Sequence, residues 1–84
     1  MQKWGGVSLV NGDNRRVLHL WSVGPDVEML QRILFSIGYN VGPIDGIFGP
    51  MTMQAVIDFQ IDNKLVADGI VGPQTWAAID LVYP

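Results

Sequence analysis

The stretch DGIFGPMTMQAV at residues 45–56 returns as DGIVGPQTWAAI at residues 68–79, twenty-three residues on, with seven of twelve positions identical. Each copy joins an Asp-Gly turn, an apolar plug (Ile47 and Phe48; Ile70 and Val71), a Gly-Pro pair and a threonine two residues past the proline. Proline is favoured at the first helical position, where its missing N–H costs nothing and its φ is already helical. An apolar residue followed by Gly-Pro also stands at Val23-Gly24-Pro25, so the sequence predicts three helix starts. The further pair Gly42-Pro43 runs directly into Ile44-Asp45-Gly46, a turn signal that a young helix would not survive, and reads as loop.

Apolar spacing predicts a first helix over about 25–37, with Val27, Leu30, Leu34 and Ile37 on one face and Gly38 as terminator. A second helix over 50–63 buries Ala55, Val56 and Phe59, and a third over 73–81 buries Trp76 and Ile79. Thr52 and Thr75 stand where a hydroxyl reaches free backbone groups of a helix start, and Asp45 and Asp68 where a carboxylate accepts turn N–H groups. Ahead of the helices, VSLV and RRVLHLWSV flank NGDN, the pattern of a hairpin. Residues 1–23 therefore read as an N-terminal extension with a β-hairpin and residues 24–84 as the domain. The expected fold class is mainly α: a three-helix bundle in which two repeated loop-helix units pack on the first helix.

A chain of 84 residues is one domain and buries only roughly 60% of the surface of its unfolded form. With no cysteine, neither disulfides nor a thiolate zinc site reinforces the core. Apolar residues make up 49% and charged ones 15%, a balance that points to some apolar surface facing a partner. The net charge is −3 with no basic run beyond Arg15-Arg16, which sets nucleic acid aside. No window of about 18 apolar residues spans a membrane, and the opening MQKWGGVSLV is too short and glycine-broken for a signal-peptide core.

The run from Val27 to Ile79 resembles the peptidoglycan-binding domains of the small three-helix type, often found beside cell-wall hydrolases. Leu30-Gln31, Leu34, Gly38-Tyr39, both Asp-Gly-Ile-x-Gly-Pro-x-Thr segments, Ala55-Val56, Phe59-Gln60 and Trp76 carry the likeness, which covers residues 24–81. It implies a compact three-helix fold that binds cell-wall glycopeptide without cutting it.

The chain departs from that pattern at Met29, Ile33, Met51, Met53, Ile57 and Ile61, which are apolar where relatives carry charged or small residues. Met53, Ile57 and Ile61 follow i, i+4, i+8 spacing, and Met29 and Ile33 are expected opposite the core face, giving both helices a second apolar face. Such a face invites association. The extension, through Val17, Leu18, Leu20 and Trp21, is expected to fold over part of it, and, compatibly with that, Met29, Ile33, Met53, Ile57 and Ile61 to meet another copy or a larger assembly. Lys64 replaces the glycine that relatives place after the second helix, and Asn63 is expected to take the left-handed role instead.

Catalysis finds little material. His19 is the single histidine and Glu28 the single glutamate, so a zinc hydrolase site would need scattered aspartates. Asp45 and Asp68 could pair as glycosidase carboxylates, but an aspartate in an Asp-Gly turn more often bonds its own backbone. His19 reads as a packed or half-exposed side chain, and NGDN falls short of a calcium loop. No enzyme, cofactor or metal is expected.

Peptidoglycan presents sugar faces, amides and carboxylates, so its receptor needs an aromatic platform and a few hydrogen-bonding groups in a shallow groove. By resemblance the groove lies among the repeat loops, with Tyr39, Asp45, Thr52, Gln54, Asp68 and Thr75 as ligand-binding candidates. Trp76 reads as core, and Gln31 and Gln60 as amides that tie loop backbone. The function expected is noncatalytic binding of peptidoglycan, concentrating an attached protein or assembly at the bacterial wall, with a location in the cell envelope, outside the cell or on a virion. The chain as it stands is either cut from a larger protein or works as a subunit. The alternative is a structural component, of a phage virion or envelope-penetrating machine, that uses the fold for protein contacts.

Overall fold

The structure is a computed structural model that describes residues 15–83. Three helices follow in order: α1 (Pro25–Ser36), α2 (Pro50–Asp62) and α3 (Pro73–Val82). Each starts at the proline of a Gly-Pro pair, with Gly24, Gly49 or Gly72 in the N-cap position. The three predicted starts are therefore the three observed ones, and the ends differ by a residue or so. The first arm and turn of the expected hairpin lie outside the described residues.

The core is drawn from every element. Val27, Leu30 and Leu34 of α1 meet Ala55, Val56 and Phe59 of α2 and Trp76 and Ile79 of α3, and the plugs Phe48 and Val71 enter between them. Fully burying an aliphatic or aromatic side chain of this size is worth about 1.5–3 kcal/mol, so the helix faces and plugs supply most of the drive to fold.

Residues 15–23 run as a strap across both repeat loops, with a turn at Leu20–Trp21. Leu18 exchanges a reciprocal pair of backbone hydrogen bonds with Val71 (3.1 and 2.8 Å). Trp21 N–H donates to the Phe48 carbonyl at 2.7 Å, and Phe48 N–H donates to the Ser22 carbonyl at 2.9 Å. Phe48 and Val71 are the same position of the repeat, so one strap bonds both units through equivalent residues. Leu18 is fully buried in the core, whereas Val17 and Trp21 are exposed. The strap thus closes the bundle over the plugs. At its start the Arg15 guanidinium lies 4.6 Å from the centre of the Trp76 ring and bonds Asp80 through its two terminal nitrogens, while the Trp76 indole N–H donates to the Arg16 carbonyl at 3.2 Å.

α1 and α2 end in the same way. In α1, Tyr39 N–H reaches the Leu34 carbonyl and Gly38 N–H that of Phe35; in α2, Leu65 N–H reaches Gln60 and Lys64 N–H reaches Ile61. This is the Schellman pattern, and it requires a left-handed residue just past the helix. Gly38 fills that place after α1 at φ +104°, and Lys64 fills it after α2 at φ +60°. The expectation that Asn63 would take the role is corrected: Asn63 has φ −105° and turns its side-chain amide onto the Phe59 carbonyl at 2.8 Å. The geometry of the two-bond motif needs the strain at the following residue.

Two stability outcomes follow from the strap and this helix end. Leu18→Ala should lower unfolding stability by about 2–5 kcal/mol in urea titration, because the cavity opens in the middle of the core. Lys64→Gly should raise it by about 1 kcal/mol, by removing the Cβ from a left-handed position; an unchanged midpoint would show that Lys64 is unstrained there.

Candidate functional site

Both repeat loops are built around a buried glutamine. Gln31 of α1 accepts at Oε1 from Asp45 N–H (3.1 Å) and Gly46 N–H (2.9 Å), and its Nε2 faces the Ile47 carbonyl (2.9 Å), Thr52 Oγ1 (3.0 Å) and Asp45 Oδ1 (3.3 Å). Gln60 of α2 repeats the arrangement: Oε1 accepts from Gly69 N–H (3.0 Å), and Nε2 faces the Ile70 carbonyl (2.9 Å), Thr75 Oγ1 (3.1 Å) and Asp68 Oδ1 (3.1 Å). An amide is the neutral side chain with both donors and an acceptor at one tip, and each cage uses all of them. Asp45 and Asp68 also accept from the N–H two residues on, Ile47 at 3.0 Å and Ile70 at 2.9 Å, closing the Asp-Gly turns as expected. The turns place Gly46 and Gly69 at φ +77° and +74°; a Cβ on Gly69 would fall 2.9 Å from Met53 Cγ.

The threonines serve these cages rather than the helix starts. Thr52 is buried, accepts from Gln31 and donates to the Val41 carbonyl at 3.0 Å. Thr75 is likewise buried and bonds Gln60. The expected threonine cap is therefore corrected: the three N-cap residues are glycines, and neither threonine hydroxyl bonds a helix start. A hydroxyl pointing inward onto a buried amide is satisfied there without facing water.

The candidate side chains are spread over three surface hollows. A cleft of about 400 Å³ at the second repeat is lined by Val66, Asp68, Ile70, Gln74 and Thr75. A smaller one of about 230 Å³ at the first repeat is lined by Trp21, Pro43, Asp45, Ile47, Met51 and Thr52. Asp45 and Asp68, Ile47 and Ile70, Met51 and Gln74, and Thr52 and Thr75 are equivalent pairs, so the two hollows are the same feature of the repeat with different walls. Tyr39 lines a third, of about 360 Å³, with Asn40, Asp58, Ile61 and Asp62. Gln54 is exposed and donates to Asp58 at 3.0 Å. One groove uniting Tyr39 with both aspartates does not form. Sequence reasoning placed the groove at the loop 40–47 and the start of α2, which hold Pro43 and Met51, but passed over Trp21, Val66 and Gln74 as wall residues. Aligning the repeats shows Met51 against Gln74 as the change that alters the wall most.

Tyr39 packs edge-on against Phe59 with ring centres 5.8 Å apart, and its hydroxyl donates to Asp62 Oδ2 at 2.6 Å. Loss of water around the phenol, then the hydrogen bond and charge of Asp62 and the charge of Asp58, push its pKa up to about 12.

The second apolar face is not continuous. Ile33, expected on the outside, is only 8% exposed and joins the core, because α1 is covered over a wider arc than its four-residue stripe suggested. Met53 packs on the core edge, and Met53 and Ile57 lie against the second turn at Gly69. Met29 and Ile61 remain open, at 55% and 59% exposure. Among the described residues no three of His, Asp and Glu converge as metal ligands, and no helix is long and apolar enough to cross a membrane.

With these features in view, comparison with known proteins decides the family. Residues 23–79 match the family model described as a peptidoglycan binding domain. The chain belongs to the peptidoglycan-binding domain family. It is 48% identical over 58 residues to an uncharacterized protein of Kitasatospora aureofaciens, covering 68% of this chain and 49% of that one. It is 44% identical to the N-acetylmuramoyl-L-alanine amidase CwlM of Mycobacterium tuberculosis, covering 62% of this chain and 13% of the amidase. The chain thus spans about half or less of these curated relatives. The crystal structure of the SleB N-terminal domain superposes with a TM-score of 0.76 at 33% identity, covering 80% of this chain and 92% of that one. This peptidoglycan-binding domain has the three-helix fold that its sequence predicts.

The Tyr39 environment sets a pH outcome. An unfolded tyrosine ionises near pH 10. With the folded value raised to about 12, the protonated phenol stabilises the fold fully below about pH 10, and that contribution is lost as pH rises through 12. Phenolate absorbance should show a group titrating late that is missing in Tyr39→Phe. In urea at rising alkaline pH, the wild type should lose more stability than the variant; titration of Tyr39 near pH 10 would contradict the geometry.

Proposed function

We propose that this domain is a noncatalytic wall-binding module that holds an attached protein or assembly against bacterial peptidoglycan. The observation that carries the reading is the cleft at the second repeat. There the glutamine cage fixes an open hollow, walled by exposed Val66 and Ile70 and edged by the polar groups of Asp68 and Gln74. Apolar walls with a few fixed hydrogen-bonding groups suit the mixed sugar and amide surface of peptidoglycan. Asp68 and Gln74 are the side chains placed to bond ligand at this cleft; Thr75 acts from beneath by holding Gln60. At the first repeat Asp45 has the matching place, with Thr52 beneath it. Tyr39 borders the third hollow, and Gln54 bonds Asp58 of its lining, so the two extend the contact there. Shallow clefts of this kind bind weakly, so attachment gains from several domains acting together.

Catalysis has little support in the site. One oxygen of each aspartate is committed to its turn, Asp45 Oδ1 accepting from Ile47 N–H and the Gln31 amide and Asp68 Oδ1 from Ile70 N–H and the Gln60 amide. A purely structural role would draw on Met29 and Ile61, since Ile33 has joined the core and Met53 packs on its edge.

Co-sedimentation with insoluble sacculi tests the reading. The wild type should pellet, and Gln74→Trp, which fills the second cleft from an exposed position, should stay largely in the supernatant with an unchanged circular dichroism spectrum. A wild type that remains in solution would sink the wall-binding function.

A further inference from the structure

The strap presents Trp21 in a way that core packing does not require. Its backbone is pinned on both sides: Trp21 N–H bonds the Phe48 carbonyl, Ser22 N–H bonds the His19 carbonyl at 2.8 Å, and Ser22 Oγ accepts from His19 N–H at 3.1 Å. The result is φ +74° at a bulky residue, a left-handed conformation that such side chains rarely adopt and that often accompanies ligand sites. The indole so placed is 62% exposed and forms one wall of the hollow at the first repeat.

We infer that Trp21, with Pro43, Asp45, Ile47 and Met51, forms a saccharide subsite in which the indole face stacks on one sugar ring of the wall glycan. This rests on the wall-binding function proposed above and names what the first repeat contributes to it.

Three features select a sugar rather than the peptide stem. The hollow is about 230 Å³, below the roughly 300–1,000 Å³ of clefts that enclose a larger ligand, so it suits a single ring. Among the described residues Asp45 is the one ionisable side chain in its lining, so a carboxylate-bearing stem is repelled while neutral hydroxyls are not. Asp45 Oδ1 is occupied by Ile47 N–H and the Gln31 amide, whereas Oδ2 bonds no group among the described residues, so this exposed residue can accept there from a sugar hydroxyl. A flat indole above a carboxylate pairs the apolar face of a pyranose with its hydroxyl edge. The second repeat has the same carboxylate at Asp68 but, among the described residues, no aromatic wall, so the two hollows are specialised differently.

The test uses the whole chain and two probes: a peptide-free tetramer of N-acetylglucosamine, and a stem pentapeptide without sugar. Heteronuclear NMR follows the Trp21 indole N–H, identified by its disappearance in Trp21→Ala. The sugar tetramer should shift this resonance and the pentapeptide should not. On sacculi, Trp21→Ala should bind roughly tenfold more weakly, and Trp21→Phe should recover most of the loss. Since the side chain is exposed, circular dichroism should show all three proteins folded alike. Wild type and Trp21→Ala pelleting equally would overturn the subsite while leaving wall binding intact. A shift caused by the pentapeptide alone, or by protein concentration without ligand, would assign the surface to the stem or to a second copy and overturn it as well. A wild type that fails to pellet would remove the wall-binding function and this subsite together.

Discussion

The amide of Gln31 reaches from α1 into the turn of the first repeat, and the amide of Gln60 reaches from α2 into the turn of the second; the rest of the structure is arranged around these two cages. Each amide is buried, so every donor and acceptor on it must find a partner or cost about 1–3 kcal/mol. The partners are a turn N–H, a loop carbonyl, a threonine hydroxyl and the aspartate of the Asp-Gly pair. That requirement explains why the repeat keeps Asp, Gly, Ile, Gly, Pro and Thr together. The aspartate closes the turn, the glycine allows its left-handed backbone, and the threonine meets the amide from below the next helix.

Because each cage ties a helix to the loop that starts the following helix, the chain folds as a relay: α1 holds the entry to α2, and α2 holds the entry to α3. Local contacts of this kind let a small domain without disulfides form a single core. The strap then bonds Phe48 and Val71, the same position in each unit, and locks the relay with Leu18. Its exposed ion pairs, such as Arg16 with Asp26, add little, since pairs in water contribute about 0–1 kcal/mol. The same rigidity suits function. The cages keep the turn backbone in place, so the clefts above them are preformed and lose little entropy on binding. Substitutions at cleft walls, such as Met51 against Gln74, can then alter recognition without disturbing the frame below.

The repeat, the three Gly-Pro starts, the core faces and the role of the two glutamines were legible in the amino-acid sequence, because turn chemistry and helical spacing are local properties. Other features were not. Ile33 looked external because its neighbours on α1 gave no sign of how wide an arc the loops would cover. Thr52 and Thr75 looked like helix caps because their spacing from proline fits a cap; only the inward amides show where the hydroxyls turn. Asn63 looked the better left-handed residue by intrinsic preference, but the two-bond helix end places that conformation on Lys64.

By itself, then, the sequence determined the family, the number of helices and their starts, and the residues that build the repeated turn, since each depends on a few neighbouring residues. The tertiary structure alone decided that the candidate side chains divide among separate hollows, that Thr52 and Thr75 face inward, and that Trp21 stands beside the first repeat. Those outcomes depend on how strap, loops and helices meet across long sequence distances, where burial and hydrogen-bond satisfaction override local preference.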